Sequence, residues 1–245
     1  TLRHSSAASD VYKRQIETLR KDEEYYNGIG KNYLSNSNIS TLLKSPKDFH
    51  VVEPKSVDMI MGNAIHEITF FGTTNLPSIE SSTRTTKVYR ERGTEEHILL
   101  AKEMEACHNI AKTLRNTKAA DILFDKENVY EEPMIKDLFG NGVLWKGKAD
   151  IINSNIDRVI DLKSTSNIDA FTSKGRMFNY DSQAWIYREL FGMEVMFFVI
   201  EKNSLRMKRI DVSDETYEKG KIKAMEAEQN YICLLYTSPS PRDLM

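Results

Sequence analysis

The chain has 245 residues, 40% of them hydrophobic, enough to bury a sizeable core and to favour one large domain. A formal net charge of −2 and a pI near 6.2 leave no global basic field, so contact with nucleic acid would have to come from a local patch such as Arg84 to Arg92, "RTTKVYRER". Cys107 and Cys233 are the only cysteines, which excludes a disulfide framework and any four-cysteine zinc or iron–sulfur site and fits a reducing cytosol; no apolar run is long enough to cross a bilayer or to read as a signal peptide.

Residues 1–15 and 233–245 continue neither neighbouring periodicity and look similar to translated adapter sequence. They are set aside as non-native or disordered flanks, which leaves 16–232 as a single domain and implies a natural chain that extends past both ends. Ile16 to Asn27 reads as a short charged helix, and "GIGK" after it has only half of a phosphate-loop motif, with no strand before it. In "YLSNSNISTLLKSPKDF", Ser37 or Asn38 caps a helix through Leu43 and Pro46 opens another. Val57, Met61, Ala64, Ile68 and Phe71 recur at helical spacing as a core stripe, with His66 off it, one turn after Gly62. A partly buried, hydrogen-bonded side chain is the plainer reading of that histidine alone; the zinc-protease pattern fails because Phe70 stands where the second histidine belongs.

A helix starting at Thr94 carries the seam Leu100, Met104, Cys107, Ala111 and Leu114, in which Cys107 reads as core. "NVYEEPMI" reads as a strand whose alternation sends Glu131 and Glu132 to opposite sides. Two further strands, "WKGKADII" and "VIDLKST", flank the turn formers Asn153 to Asp157 and predict a hairpin. The first would place Val143, Trp145, Gly147, Ala149 and Ile151 on one face and Lys146, Lys148 and Asp150 on the other. The second would project Asp161 and Lys163 together, so the hairpin brings two carboxylates and a lysine to one end of a sheet. Beyond a polar connection, Tyr180, Gln183 and Tyr187 share a helical face, followed by strands "MEVMFFVIEK" and "SLRMKRIDV" and a closing amphipathic helix. The expected fold is mixed α/β, a central sheet flanked by helices.

Two converging carboxylates suit Mg²⁺, a hard cation that takes a few carboxylates plus water and phosphate oxygens, and Lys163 could orient water or offset charge on phosphorus. Gln183 and Tyr187 could supply neutral hydrogen bonds to water or phosphate. An acid, any residue and a lysine is a weak pattern alone: it recurs as Glu53-Pro54-Lys55, in a polar loop with no strand leading into it, and a surface ion pair is the plain alternative for Asp161 and Lys163.

Gly62-x-x-x-His66, a glutamate-bearing strand, Gly147-Lys148-Ala149-Asp150, Asp161-Leu162-Lys163 and Gln183-x-x-x-Tyr187 occur in this order, and "YLSNSNISTLLKSPKDF" precedes them. Together they resemble the PD-(D/E)xK nuclease superfamily and its restriction-endonuclease-like core. The likeness is to the phage-type exodeoxyribonuclease VIII-like branch and, more distantly, to lambda exonuclease and RecB-like nucleases, over about residues 25 to 230. The resemblance implies His66, Asp150, Asp161 and the Leu162 carbonyl as metal ligands, Lys163 as the catalytic lysine, and Gln183 and Tyr187 as the motif after the catalytic strands. Glu131 matches the family glutamate by its spacing from Pro133, with Glu132 left open. Aspartate at 161 stands where many relatives have glutamate and is a permitted variant.

The activity that this resemblance implies is that of a Mg²⁺-dependent exonuclease, with Mn²⁺ as a substitute and no iron–sulfur cluster, acting on ends of linear duplex DNA in phage or prophage recombination. DNA, a single-strand annealing recombinase and other copies of the chain are the expected partners, in the bacterial host cytoplasm and away from membranes. The alternatives are a nucleic-acid-binding protein with a catalytically inactive nuclease fold, and a scaffold protein that shares only the α/β core.

Overall fold

A computed structural model describes residues 2–49, 51, 54–92 and 98–237. Along the chain run α1 (Leu2–Leu19), α2 (Asp22–Tyr26), α3 (Ile39–Lys44), α4 (Val57–Phe71), β1 (Ser78–Ile79), α5 (Lys87–Glu91), β2 (Leu99–Leu100), α6 (Ala101–Arg115) and α7 (Ala120–Leu123). The second half holds β3 (Asn128–Asp137), β4 (Leu144–Asn153), β5 (Arg158–Thr165), α8 (Phe171–Lys174), α9 (Tyr180–Phe191), β6 (Glu194–Glu201), β7 (Met207–Asp211) and α10 (Asp214–Thr237).

The turn formers between β4 and β5 close the expected hairpin, and five strands align in the order β3-β4-β5-β6-β7. Every neighbour is antiparallel except β5 and β6, whose parallel pairing requires the crossover that α8 and α9 supply. One face of the sheet packs Trp145, Ala149, Val159, Phe197 and Val199 against α3, α9 and α10. The other packs Ile151, Ile160, Leu162, Met196 and Phe198 against α4 and α6. The result is the mixed sheet flanked by helices that the sequence predicts, and β5 runs through its middle rather than along an edge.

β4 departs from the predicted alternation. Trp145 and Ala149 belong to the core under α9 and α10, whereas Ile151, two residues on, belongs to the core under α4 and α6. Strict alternation would put all three on one face. The phase shifts at Asp150 because β4 pairs with β5 only at Ile151–Ile160, Ile152–Val159 and Asn153–Arg158, after which the strands separate. Leu34 partly fills the opening: its N–H donates to the Leu144 carbonyl at 2.9 Å and its carbonyl accepts from the Lys146 N–H at 2.7 Å.

In α4, Ser56 caps the N-terminus by accepting the Met59 N–H, and Gly72, at φ 82°, ends the helix in the left-handed conformation. The buried stripe is Ile60, Ala64, Ile65 and Ile68, each buried isoleucine contributing about 1.5–3 kcal/mol relative to exposure. The predicted stripe is therefore rotated: Val57 and Met61 are only partly buried, and Phe71, the last helical residue, is exposed. The predicted helix start at Thr94 lies outside the described residues. Leu99 and Leu100 form a parallel pair with Ser78 and Ile79, and α6 begins after them, with the Glu103 carboxylate accepting the Leu100 N–H at 2.8 Å. The seam inside α6 is buried at Cys107, Ile110, Ala111 and Leu114. Residues 2–15 of the N-terminal flank are helical within α1, and Leu19 at its end packs with Tyr25 and Ile135.

Candidate functional site

Where β4 and β5 part, backbone groups that a continuous ladder would pair need other partners. The Leu162 N–H donates to Asp150 Oδ2 at 2.8 Å, and the Lys148 carbonyl accepts from the Tyr187 hydroxyl at 2.9 Å. Gly147 lets α9 come this close: a Cβ there would lie 2.7 Å from Leu190 Cδ1 and 3.0 Å from Tyr187 Cε1. The side chains bracing the fork thus include two of those singled out in the sequence.

Asp150 also faces α4. His66 Nε2 lies 3.3 Å from Asp150 Oδ1 and 3.2 Å from Glu131 Oε1, and one donor atom from each of the three residues falls within 4.8 Å of the others. Glu131 stands opposite Asp150 across the β3–β4 ladder, between the pairs Tyr130–Ile151 and Glu132–Ala149, and adopts φ 53°. A non-glycine residue there costs about 1–3 kcal/mol, a strain that persists when the surroundings over-determine it. Glu132 turns away and pairs with Arg20 at 2.6 Å, so of the two glutamates Glu131 joins the cluster.

Burial alone would push the His66 imidazole down, but Asp150 and Glu131 outweigh it and hold it up at about 9. Burial raises Glu131 to about 7 against the pull of His66. Asp150 is held below the usual carboxylate range because His66, Lys163 and the Leu162 N–H overcome its burial. The cluster therefore demands positive charge. His66 Nε2 is buried and faces its two carboxylates without a hydrogen bond of correct geometry. One imidazole nitrogen and two carboxylate oxygens converging on one point fit a divalent cation, oxygen-preferring Mg²⁺ or the more imidazole-tolerant Mn²⁺.

Asp161 lies beside this cluster, one residue before Leu162 on the central strand, and is 1% exposed. Its Oδ2 is 2.5 Å from Lys163 Nζ, and its Oδ1 accepts from Gln183 Nε2 at 2.6 Å. Burial raises the Asp161 carboxyl, with Lys163 opposing; burial would lower the Lys163 ammonium, but Asp161 and Asp150 raise it. The Lys163 ammonium lies 5.2 Å from the Tyr180 ring centre. Six sequence-predicted residues, His66, Glu131, Asp150, Asp161, Lys163 and Gln183, thus form one connected group.

Three details add to the expectation. Glu131, predicted as a supporting residue, is in the donor cluster, while the Asp161 oxygens engage Lys163 and Gln183. Leu162, whose carbonyl the resemblance implies as a ligand, gives its N–H to Asp150. Tyr187 spends its hydroxyl on a backbone carbonyl, which makes it a brace of the fork. Among the described residues, no group comes within 4 Å of a Cβ placed on Gly62, so the space beside that glycine is open.

Sequence reasoning missed the place of α2 beside the site. Lys148 Nζ lies 2.5 Å from Asp22 Oδ1 and 3.7 Å from Glu131 Oε2, and Lys146 Nζ donates to the Tyr25 carbonyl at 2.5 Å. The Tyr25 ring lies 4.3 Å from the Lys146 ammonium and 4.8 Å from that of Lys148. Asp22 thus reaches a lysine two residues from Asp150, and the polar run Lys146, Lys148, Asp150 was the available signal. The basic stretch at 84–92 is partly committed to scaffolding: Arg84 pairs with Glu103 at 2.5 Å and Arg90 donates to the Thr85 carbonyl.

Among curated proteins none matches this chain. Among solved structures, the chain is similar to "Putative exonuclease" from Eubacterium rectale, with 18% identity over 86% of this chain and 85% of that one and a TM-score of 0.61, a likeness of fold. A phage related exonuclease from Haemophilus somnus 129PT aligns over 84% of this chain and 96% of its own at 14% identity, with a TM-score of 0.40. A family model, the PDDEXK-like domain of unknown function DUF3799, matches residues 35–242, a span that takes in α4, the fork and α9. With most of its length and every residue of the connected group inside that match, the chain belongs to the PDDEXK-like family DUF3799, within the PD-(D/E)xK superfamily.

Proposed function

We propose that the chain is a metal-dependent DNA exonuclease that hydrolyses phosphodiester bonds at the ends of linear duplex DNA in phage or prophage recombination. Mg²⁺ is its ion, with Mn²⁺ as a substitute. It would act as a homo-oligomer beside a single-strand annealing recombinase in the bacterial cytoplasm. The observation that carries the reading is the placement of the Gln183–Asp161–Lys163 chain beside the His66, Glu131 and Asp150 donors.

His66, Glu131 and Asp150 would hold the ion, with Asp161 adjoining it. When bound, a divalent ion supplies Lewis-acid polarisation of a phosphate oxygen. Gln183 fixes the Asp161 carboxylate, and Asp161 in turn fixes Lys163. The Lys163 ammonium, kept protonated by its carboxylate neighbours, is positioned to offset charge developing on phosphorus or to orient an attacking water. Tyr187 and Gly147 hold α9 against the fork so that Gln183 stays in reach.

The test incubates the protein with linear and covalently closed DNA, in Mg²⁺ and in chelator, alongside Asp161→Ala and Lys163→Ala, with circular dichroism of each variant. Metal-dependent loss of linear DNA, abolished in both folded variants, is the expected result. DNA that is bound but intact would favour the inactive binding protein, and equal digestion of closed circles would indicate an endonuclease.

A further inference from the structure

We infer that Phe178 and Met177, in the loop between α8 and α9, form a platform on which a nucleobase of the bound DNA strand stacks beside Lys163; the inference rests on the nuclease reading above. Met177 is 76% exposed and Phe178 58% exposed, two large apolar side chains in succession on a loop whose Arg176 is also exposed, as is Lys174 at the end of α8.

The inner side of this patch is anchored to the site. Phe178 stacks on Tyr180 with ring centres 5.7 Å apart and planes 30° from parallel, and Tyr180 stacks on Phe171 at 5.1 Å and 21°. Tyr180 is the ring that lies 5.2 Å from the Lys163 ammonium. The exposed ring is therefore two ring contacts from the lysine assigned to the reacting phosphate. The loop is also tied down: Lys223 Nζ donates to the Arg176 carbonyl at 2.9 Å, and the Tyr180 N–H donates to the Gly175 carbonyl at 3.0 Å.

The chemistry of the patch selects its occupant. A nucleic acid strand offers flat apolar bases joined by anionic phosphates, and its usual receptors pair aromatic rings with basic side chains. Lys174 and Arg176 supply the cations and Phe178 the ring, with Met177 as a polarisable neighbour. Tyr26, another exposed aromatic near the site, has Lys148 and Lys55 against its ring at 5.6 and 6.0 Å. The stacked ladder that leads to Lys163 belongs to Phe178.

The probe is a duplex with 2-aminopurine at its terminal nucleotides, titrated against the full chain with Ca²⁺ as the divalent ion, reading anisotropy for affinity and 2-aminopurine emission for stacking. Wild type and Phe178→Trp should bind and change the emission. Phe178→Ala should bind roughly five- to thirtyfold more weakly, within the range that alanine substitution of a base-stacking aromatic gives, and lose the emission change. Phe178→Ala indistinguishable from wild type in both signals would overturn the platform and leave the nuclease reading standing. So would unchanged DNA binding with an altered oligomer size on a sizing column, which would assign the patch to contacts between copies. Absence of DNA binding by wild type in either Ca²⁺ or Mg²⁺ would remove the nuclease reading itself, and the platform with it.

Discussion

Asp150 carries two duties that substitution can separate. One oxygen faces His66 in the ion cluster and the other accepts the Leu162 N–H at 2.8 Å. Asp150→Asn keeps a carbonyl oxygen for that N–H; Asp150→Ala leaves the N–H without an acceptor where β4 and β5 part. An unsatisfied buried donor costs about 1–3 kcal/mol. In a domain of this size each kcal/mol moves Tm by roughly 2–4 °C, so alanine should melt about 2–12 °C below asparagine. Both variants remove the same negative charge from the neighbourhood of Asp161 and His66, so that effect largely cancels between them. Both should also lose the rise in Tm that Mg²⁺ or Mn²⁺ gives wild type, about 2.7 kcal/mol when the ion stands at a hundred times its Kd. The assay is a set of thermal melts in chelator and with increasing ion. If the two variants melt together in chelator, the carboxylate does not cap the fork; if asparagine retains the full ion-induced rise, Asp150 is not a ligand.

Gly220→Ala should be more disruptive than Gly147→Ala, because its Cβ would overlap the Asp181 backbone carbonyl of α9, whereas the Gly147 Cβ meets the movable ends of Leu190 and Tyr187. Overpacking of this kind costs about 1–3 kcal/mol or more, and urea unfolding that ranks the two equally would contradict this helix packing. Lys146 is lowered by burial and by Lys148 to about 8 in the folded chain, against an ordinary value near 10.4 in the unfolded one. Between those values the unfolded chain binds more protons, so this group makes stability rise with pH. The stability difference between Lys146→Met and wild type should shift in favour of wild type from pH 7.5 to 9.5, and parallel pH profiles would refute the buried-charge reading. His66→Ala should weaken Mn²⁺ binding measured by calorimetry about tenfold or more, and should also lower the chelator Tm, because it leaves the Glu131 and Asp150 carboxylates without the imidazole that faces both. An unchanged affinity would remove His66 from the ligand set.

The hairpin, the Asp161–Lys163 pair and the Gln183 face were legible because each rests on a local period that the fold respects. The face assignment along β4 failed because alternation presumes a paired strand, and the pairing stops at Asp150. The choice between Glu131 and Glu132 turned on a single backbone angle, φ 53°, which no periodicity encodes. Asp22 reaches Lys148 across 126 positions of sequence, so its short charged helix gave no local sign of lying near the cluster. The stripe of α4 was misread by one position because Met61 and Ile60 are both apolar, and only the neighbouring α6 decides which of them is covered.

The phase shift in β4 puts the site on a seam shared by two layers. His66 rides on the helix layer whose packing includes Ile68 and Ile110, while Gln183 rides on the opposite layer with Trp185 and Tyr217, and Asp150 and Asp161 sit between them. Neither layer owns the chemistry. A cavity opened in either layer, far from the site, would relax the packing that positions its share of these side chains, so an interior substitution should disturb the site without touching it.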